Sequence, residues 1–444
     1  MTKNQDFYHL NDPLPCDIAQ RKGMGDIQGA LRLIDAALAS GGQPELAPRL
    51  RLERMRLPLL PADYTLDRAQ AIAALQEEWP SCTEAQFDAL VDGGRIDWRC
   101  LGGQVRFHNR FVETLRLYPQ LAPGLAQEPE DTSQRDSVLA RMREEGGVTA
   151  KITIKASIAP AEGVGGSRFQ AWLPIPAACP QQSGIEILAC TPGGVCAPED
   201  APQRTIWWAE SSQREFSVTY RYTFRADYID PLTIAADEEQ PAFHLEEQEP
   251  HLVFTPYLHR LTASVTGGCN GPVEKAKAIY DYVTGHVDYR FQPAYIQLDS
   301  IADYCAAGLR GDCGVMAMLF IAMCRIAGIP AKWQSGLAAR PGDVGSHDWA
   351  MFYIAPHGWL WADCSFGSAS RRRGEAARRA HYFGNLDPWR MVANNDFFAP
   401  LTPPDPAWRH DPFDNQTGEL VADGVGLMGG QRDTCQEMVE FMLL

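Results

Sequence analysis

Cys313, His347 and Asp363 are the residues of this 444-residue chain whose types and order could perform nucleophilic catalysis. A cysteine thiolate attacks a carbonyl carbon, an imidazole transfers the proton, and a carboxylate holds the imidazole in one tautomer. Each residue alone is more often structural than catalytic, since a lone cysteine usually behaves as a small core residue. Catalysis therefore requires local structure that brings the three side chains together.

Residues 310–333, with the sequence RGDCGVMAMLFIAMCRIAGIPAKW, predict a helix that begins at Cys313. Asp312 suits the N-cap position, and Gly328 followed by Pro330 suits the end. The residues between are apolar on every face, which indicates a helix buried on all sides. In the first turn the free N–H groups and the helix dipole favour a thiolate, and the N–H of Cys313 could stabilise an oxyanion. Cys324 lies deep in the same helix and is predicted to be a core residue.

His347 and Asp363 lie at the two outer ends of a predicted antiparallel hairpin. A turn centred on Ala355 would set His347 directly opposite Asp363. A turn centred between Pro356 and His357 would offset them by three residues, about 10 Å at ~3.4 Å per residue. We expect the first arrangement, with His357 in the turn facing solvent.

Two other patterns have alternative interpretations. Cys305 and Cys364 could join Cys313 and His347 in a zinc site, but their spacing matches no standard zinc motif. We therefore expect neither a metal nor a cofactor. The basic run at residues 371–379, RRRGEAARR, is typical of a solvated helix face; the alternative is a contact for a substrate carboxylate.

The overall composition excludes some classes of partner. The formal charge of −16 and the pI of about 5.1 argue against nucleic acid, because phosphate binding needs a basic surface. No apolar run approaches the ~18 residues of a membrane span, and the N-terminus lacks the apolar core of a signal peptide. We therefore expect no membrane partner and a cytoplasmic location. The twelve cysteines are scattered, and most are expected to be reduced and buried.

The pattern of elements predicts an α+β chain of three domains. Residues 1–145 are predicted to be mostly helical, with a helix from Asp26 to Ser40 and a small hairpin that turns at Gly102-Gly103. Residues 146–231 contain short alternating strands typical of a β-sandwich. Residues 232–444 are predicted to form a mixed catalytic domain, with a proline-rich tail after Pro400 wrapped over its surface.

Four stretches of the last domain resemble the transglutaminase-like superfamily, which shares its core with papain-like cysteine proteases. They are residues 273–289, residues 310–333 with their Gly-Ile-Pro-Ala ending, His347-Asp348-Trp349, and residues 358–363. The resemblance extends from residue 271 to residue 395. The motif at residues 382–387, YFGNLD, is similar to bacterial members that carry a β-domain before the core.

The resemblance implies that Cys313 is the nucleophile, His347 the base and Asp363 its orienter. It also makes Tyr289 a candidate second oxyanion donor, and Trp349 and Gly314 candidates for substrate binding. Animal-type transglutaminases have tryptophan directly after the nucleophile, where this chain has glycine. No calcium-loop pattern is visible either, and calcium-dependent crosslinking is therefore not expected.

These features predict a cysteine peptidase or amidase that acts on a peptide or protein substrate through a thioester intermediate. One alternative is an acyl transferase, in which an amine instead of water resolves the thioester. Another is a non-catalytic binding or assembly module that retains the core. The sequence does not specify an oligomeric state.

Overall fold

The computed structural model describes residues 3–126 and 131–444. The chain divides into two compact units. The larger unit comprises Met1–Gln5, Thr132–Tyr289 and Ser300–Leu444, and the smaller unit comprises Asp6–Asp131 and Arg290–Asp299. The proposed three-domain division, with boundaries after residues 145 and 231, stays a prediction. The polar run at residues 127–136, QEPEDTSQRD, predicts a linker or the lead into a helix, and its residues 127–130 lie outside the described residues.

The smaller unit is mainly helical. Its elements within the described residues are α1 (Cys16–Gly23), α2 (Ile27–Ser40), α3 (Ala47–Arg56), α4 (Leu60–Asp63), α5 (Arg68–Glu78), α6 (Glu84–Asp92), the antiparallel strands β1 (Trp98–Leu101) and β2 (Gln104–Phe107), and α7 (Phe111–Arg116). Asp26 caps α2 by accepting a hydrogen bond from the N–H of Gly29, and Gly41 adopts φ 63° after its end. The predicted helix and hairpin are therefore confirmed.

The larger unit contains most of the remaining elements. Its helices are α8 (Ser133–Glu145), α9 (Pro256–Thr266), α10 (Pro272–His286), α11 (Ile301–Gly308), α12 (Cys313–Ile326), α13 (Cys364–Arg372) and α14 (Ala376–His381). Its strands are β3 (Gly147–Pro160), β4 (Phe169–Pro174), β5 (Gln182–Cys190), β6 (Gly194–Cys196), β7 (Thr205–Ser211), β8 (Phe216–Asp227), β9 (Asp288–Tyr289), β10 (Arg310–Gly311), β11 (Ala331–Arg340), β12 (Asp343–Ile354), β13 (Gly358–Ala362), β14 (Phe383–Gly384), β15 (Arg390–Asn394), β16 (Glu419–Ala422), β17 (Val425–Gly426) and β18 (Arg432–Leu443). The mixture of helices and antiparallel sheets gives an α+β fold, as predicted.

Three larger sheets of this unit contribute to one hydrophobic core. Their strand orders are β18-β3-β8-β5, β17-β16-β4-β7-β6 and β14-β13-β12-β11-β15. The alternating apolar residues of β8, such as Val218, Tyr220 and Tyr222, are buried in this core.

The C-terminal tail differs from the expectation that it covers the surface. Its strand β18 pairs with β3 along nearly the whole of both strands, from Arg432 opposite Pro160 to Leu443 opposite Ala150. Strand β16 pairs with β4. The tail has alternating strand sequences after its prolines, and these satisfy the backbone hydrogen bonds of edge strands that would otherwise be unpaired.

Helix α12 and the hairpin β12–β13 are the elements that position the predicted site. The Asp312 side chain accepts a hydrogen bond from the N–H of Val315, which confirms the predicted N-cap. Every α12 residue from Gly314 to Arg325 is buried. Phe320 of α12 packs edge-on against Phe352 of β12 at a centroid distance of 5.7 Å, so α12 packs against one face of β12.

The register of the hairpin is not the one that we expected. Ile354 pairs with Gly358 and Ala350 pairs with Ala362, which centres the turn on Pro356 and not on Ala355. Continued outward, this register sets position 365 opposite His347. Asp363 is therefore a diagonal neighbour, offset by two residues. Because side chains two residues apart share a face, the expected contact between the two side chains is preserved.

Candidate active site

Cys313 is partly exposed at the start of α12, and its sulfur faces a carboxyl group. The thiol lies 3.2 Å from Asp348 Oδ2, to which it donates a hydrogen bond. Burial, Asp348 and Asp312 together raise the pKa of the thiol well above its ordinary value. The expected bias toward thiolate at the helix N-terminus is therefore outweighed in this resting arrangement.

His347 is buried and held by Asp363. Its Nε2 lies 2.7 Å from Asp363 Oδ2, and its ring stacks on Phe366 at 4.2 Å. Burial lowers the pKa of His347, against the opposing effect of Asp363, so the neutral imidazole is favoured.

The tautomer of His347 follows from the state of Asp363. Hydrogen bonds, His347 and Arg390 hold the pKa of Asp363 far below its ordinary range despite burial, so this group is an acceptor only. Nε2 must then carry the hydrogen, and Nδ1 is the basic atom. Among the residues that the structure describes, none forms a hydrogen bond with Nδ1.

Asp363 is fixed by several donors. It caps α13 by accepting from the N–H of Phe366 at 2.9 Å, and it also accepts from the Ser365 hydroxyl at 3.1 Å. Arg390 Nη1 lies 2.9 Å from the same oxygen that contacts His347. A carboxylate with this many partners has one well-defined position.

The structure brings His347 to Asp363 but pairs Cys313 with a different residue. No hydrogen bond joins Cys313 to His347 within the described part of the chain, because the sulfur faces Asp348 instead. His347 and Asp348 are consecutive on β12, and consecutive strand residues point to opposite faces. The backbone N–H of Asp348 also contributes a hydrogen bond to the sulfur, which therefore lies one residue from His347 along the strand.

The other predicted site residues are Tyr289, Trp349 and Gly314, and their surroundings differ. Tyr289 lies on β9, whose parallel pairing with β10 sets it beside Gly311, two residues before Cys313. Trp349 is fully buried, and its Nε1 donates to Gln334 Oε1 at 2.8 Å. Gly314 is buried within α12. The burial of Trp349 and Gly314 does not favour direct substrate contact by either residue.

A segment of the tail, residues 411–416, reaches the site and was missed by sequence reasoning. Gln416 Nε2 donates to Asp348 Oδ1 at 2.6 Å and to the His347 carbonyl at 3.0 Å. Asp414 forms a side-chain hydrogen bond with Asp348 and accepts one from the Ser335 hydroxyl at 2.5 Å. The only available signal was the polar spacing in HDPFDNQ, which resembles any loop sequence.

Arg390 was also missed. Its side chain is 0 % exposed and bonds both Asp363 and Asp387, the last residue of the YFGNLD motif. Its guanidinium also lies over the rings of Trp349 and Phe366. This buried cation explains how two carboxylates can remain ionised behind the histidine.

Cys305 and Cys364 are buried, and two arginines of the basic run at residues 371–379 form ion pairs. Burial raises the pKa of the Cys305 and Cys364 thiols, which disfavours the thiolate form that binds a metal ion. In residues 3–126 and 131–444, no group of three or more His, Cys, Asp or Glu side chains is arranged to hold a metal ion. In the basic run, Arg378 pairs with Asp136 and Glu375, and Arg379 pairs with Asp281.

Residues 259–364 match the family model described as the transglutaminase-like superfamily. The chain contains a transglutaminase-like domain. The matched range includes Cys313, His347 and Asp363 of this domain. No curated protein shows a significant match to the sequence.

Solved structures similar to this chain include a candidate cysteine protease from Cytophaga hutchinsonii. It is 16% identical, with a TM-score of 0.44, and the match covers 67% of this chain and 91% of that one. The periplasmic domain of TgpA from Pseudomonas aeruginosa is 14% identical, with a TM-score of 0.28, and the match covers 54% of this chain and 94% of that domain. A second structure of the same domain is 15% identical.

The predicted cytoplasmic location is contradicted by the two structures of a periplasmic domain among these matches, and it is withdrawn. At this identity the likeness concerns the fold alone and assigns no compartment to this chain. Within the described residues, no helix combines the length and the apolarity needed to cross a bilayer.

Proposed function

We propose that the chain is a thiol-dependent amide hydrolase in which Cys313 is the nucleophile, His347 the base and Asp363 the orienter. The observation that supports this proposal most strongly is the 2.7 Å contact between His347 Nε2 and Asp363. His347 lies on β12, the same strand whose Asp348 contacts the Cys313 sulfur. The match of residues 259–364 to the transglutaminase-like superfamily supports it.

The His347 tautomer with hydrogen on Nε2 determines which ring nitrogen takes part in proton transfer. With its Nε2 hydrogen held by Asp363, His347 accepts the Cys313 proton at Nδ1 as the sulfur attacks an amide carbonyl. The carbonyl oxygen becomes an oxyanion near the N–H of Cys313, since the first turn of a helix has N–H groups without intrahelical partners. His347 then protonates the leaving amine, and water resolves the thioester.

The thiol must first turn from Asp348 to His347. Side-chain torsions occupy wells about 120° apart, and the proposed reaction requires a change of the χ1 rotamer at Cys313 that redirects the sulfur toward the His347 side of β12. Because Asp348 is adjacent to His347 on β12, this is a local rearrangement. Catalytic hydrogen bonds often tighten only when substrate is bound.

Acylation of the full chain by an activated ester tests the proposal. We expect a p-nitrophenyl ester of an N-acyl amino acid to add one acyl mass to Cys313, detected by intact mass and peptide mapping. Cys313→Ala should abolish the adduct, and His347→Asn should slow its formation by at least about 10²-fold, as for loss of a general base.

The matched control is His357→Asn. His357 lies exposed in the turn of the same hairpin and forms a hydrogen bond with the Ala235 carbonyl, so its loss should leave acylation unchanged. Equal rates for His347→Asn and His357→Asn would refute the proposed base. A labelled primary amine separates the two enzymatic outcomes, since a covalent amide product instead of free acid would indicate acyl transfer.

A further inference from the structure

The carboxyl of Asp348 is the feature of this site that the proposed reaction does not use. It is 3 % exposed and lies 3.2 Å from the Cys313 sulfur, on the face of β12 opposite to His347. Its position is defined from the other side by Gln416, which donates to Oδ1, while Oδ2 receives the thiol hydrogen bond.

Buried acids surround this carboxyl. Asp348 is hydrogen-bonded to Asp414, which is in turn hydrogen-bonded to Asp411. The ionisable groups around it are Asp312 and Cys313 at the start of α12, and Asp414 and Asp411 from the tail with Arg409 beyond them. Its strand neighbour His347 projects to the opposite face of β12. Carboxyls so close in a buried site cannot all be ionised, so they must share protons.

We propose that Asp348 is a positioning residue of the active site, whose carboxylate holds the Cys313 thiol in its resting position and whose protonation releases the nucleophile to His347. The proposal deepens the thiol-hydrolase function and rests on it. Residues 411–416 belong to the same device, because they set the position and the charge of Asp348.

The two protonation states have opposite effects on the sulfur. An ionised Asp348 accepts the thiol hydrogen bond and repels a thiolate, so it keeps Cys313 protonated and turned away from the imidazole. A protonated Asp348 carries no charge and can donate to a thiolate. The proton that leaves Cys313 still passes to His347 Nδ1 and then to the leaving amine, so Asp348 itself transfers none.

The direction of the pH dependence follows. Burial and the charges of Asp312 and Asp411 raise the pKa of Asp348 to about 7, while burial keeps the pKa of His347 below its ordinary 6.5. His347 is then already neutral in mildly acidic solution, where Asp348 is still protonated. Activity should therefore be highest on the acid side of pH 7 and fall as Asp348 ionises.

Alkylation of Cys313 by iodoacetamide tests the inference without needing turnover. Rates are measured by peptide mass spectrometry from pH 5 to pH 9 in the full-length wild type and in Asp348→Asn. We expect similar rates at pH 5.5 and alkylation about tenfold faster in Asp348→Asn at pH 8. In the acylation assay, the loss of rate above pH 7 should disappear in this variant.

Two further variants make the result specific. Asp343→Asn removes an exposed carboxyl from the start of β12 and should behave as wild type. Gln416→Leu removes a donor that favours the ionised form of Asp348, so it should move the alkaline fall in activity to higher pH. It also gives a second reading if Asp348→Asn folds poorly.

The outcomes separate the two proposals. Identical alkylation profiles in Asp348→Asn and Asp343→Asn, or a Gln416→Leu profile that does not shift, would overturn the role of Asp348. A shifted alkylation profile without acylation in any variant would instead refute the hydrolase proposal while leaving the control of the thiol by Asp348 intact.

Discussion

Replacing Arg390 with methionine should destabilise the larger unit by on the order of 3–5 kcal/mol at pH 7. Arg390 is fully buried, and it bonds Asp363 at 2.9 Å and Asp387 at 2.8 Å, both of them buried. Methionine fills much of the volume of the arginine stem but leaves two carboxylates without their cation. Breaking a buried pair costs more than the pair contributes, because the remaining charge has been removed from water.

Urea denaturation followed by tryptophan fluorescence and circular dichroism gives the free energy of unfolding. The matched control is Arg141→Met, which breaks an exposed pair with Glu145 and should cost less than about 1 kcal/mol. The pKa values of Asp363 and Asp387 are depressed in the folded protein, so their stabilisation is present above the unfolded pKa, about 3.9, and is lost as the pH falls through the folded values. The difference between Arg390→Met and wild type should therefore shrink below pH 4. A loss at pH 7 no greater than that of Arg141→Met would refute this account of the buried charges.

Three further predictions concern the same region. Gly336→Ala should lose about 1–3 kcal/mol of unfolding free energy in urea, because its Cβ would lie 2.0 Å from the Met391 carbonyl oxygen, whereas Gly345→Ala meets nothing within 4 Å and should be nearly neutral. Asp363→Asn should reduce the rate of Cys313 acylation by about 10³–10⁴-fold, since an amide no longer fixes the imidazole tautomer; retention of more than a tenth of the wild-type rate would exclude this role. For Asp348 the pKa is raised, so its stabilisation of the fold is complete below the unfolded value and is lost as the pH rises through about 7. Between pH 4 and pH 8.5 the unfolding free energy of wild type should therefore fall by up to about 4 kcal/mol more than that of Asp348→Asn. Parallel pH–stability curves of the two proteins would contradict this.

The elements that carry the site were predictable because their signals are local. Asp312 before an all-apolar stretch marks the start of α12, and Gly328 with Pro330 marks its end. The two strands of the hairpin follow from alternating residues around a proline and glycine turn. The register did not follow, because a shift of one residue in the centre of the turn leaves the local sequence pattern unchanged.

The groups that set the chemistry of Cys313 were not predictable for a different reason. Asp414 and Gln416 lie about a hundred positions further along the chain, in a loop whose composition is ordinary. The pairing of β16 with β4, together with hydrogen bonds from Ser335 to Asp414 and from Asn394 to the Asn415 carbonyl, holds this loop against the site. Contacts of this kind depend on tertiary packing, and no spacing within a single element encodes them.

The path of the chain at Tyr289 has a practical consequence for dissecting the protein. Strand β9 ends at Tyr289, beside the segment that leads into Cys313, and the next ten residues, Arg290–Asp299, belong to the smaller unit. There Phe291 lies under the Arg110 guanidinium, and the Ile296 carbonyl accepts a hydrogen bond from Arg56. Deleting the first 131 residues would remove the residues that Arg290–Asp299 contacts and leave these ten residues as an unpacked insertion next to Tyr289. Expression trials should therefore keep both units together, and a shortened version that loses reactivity would say little about the thiol itself.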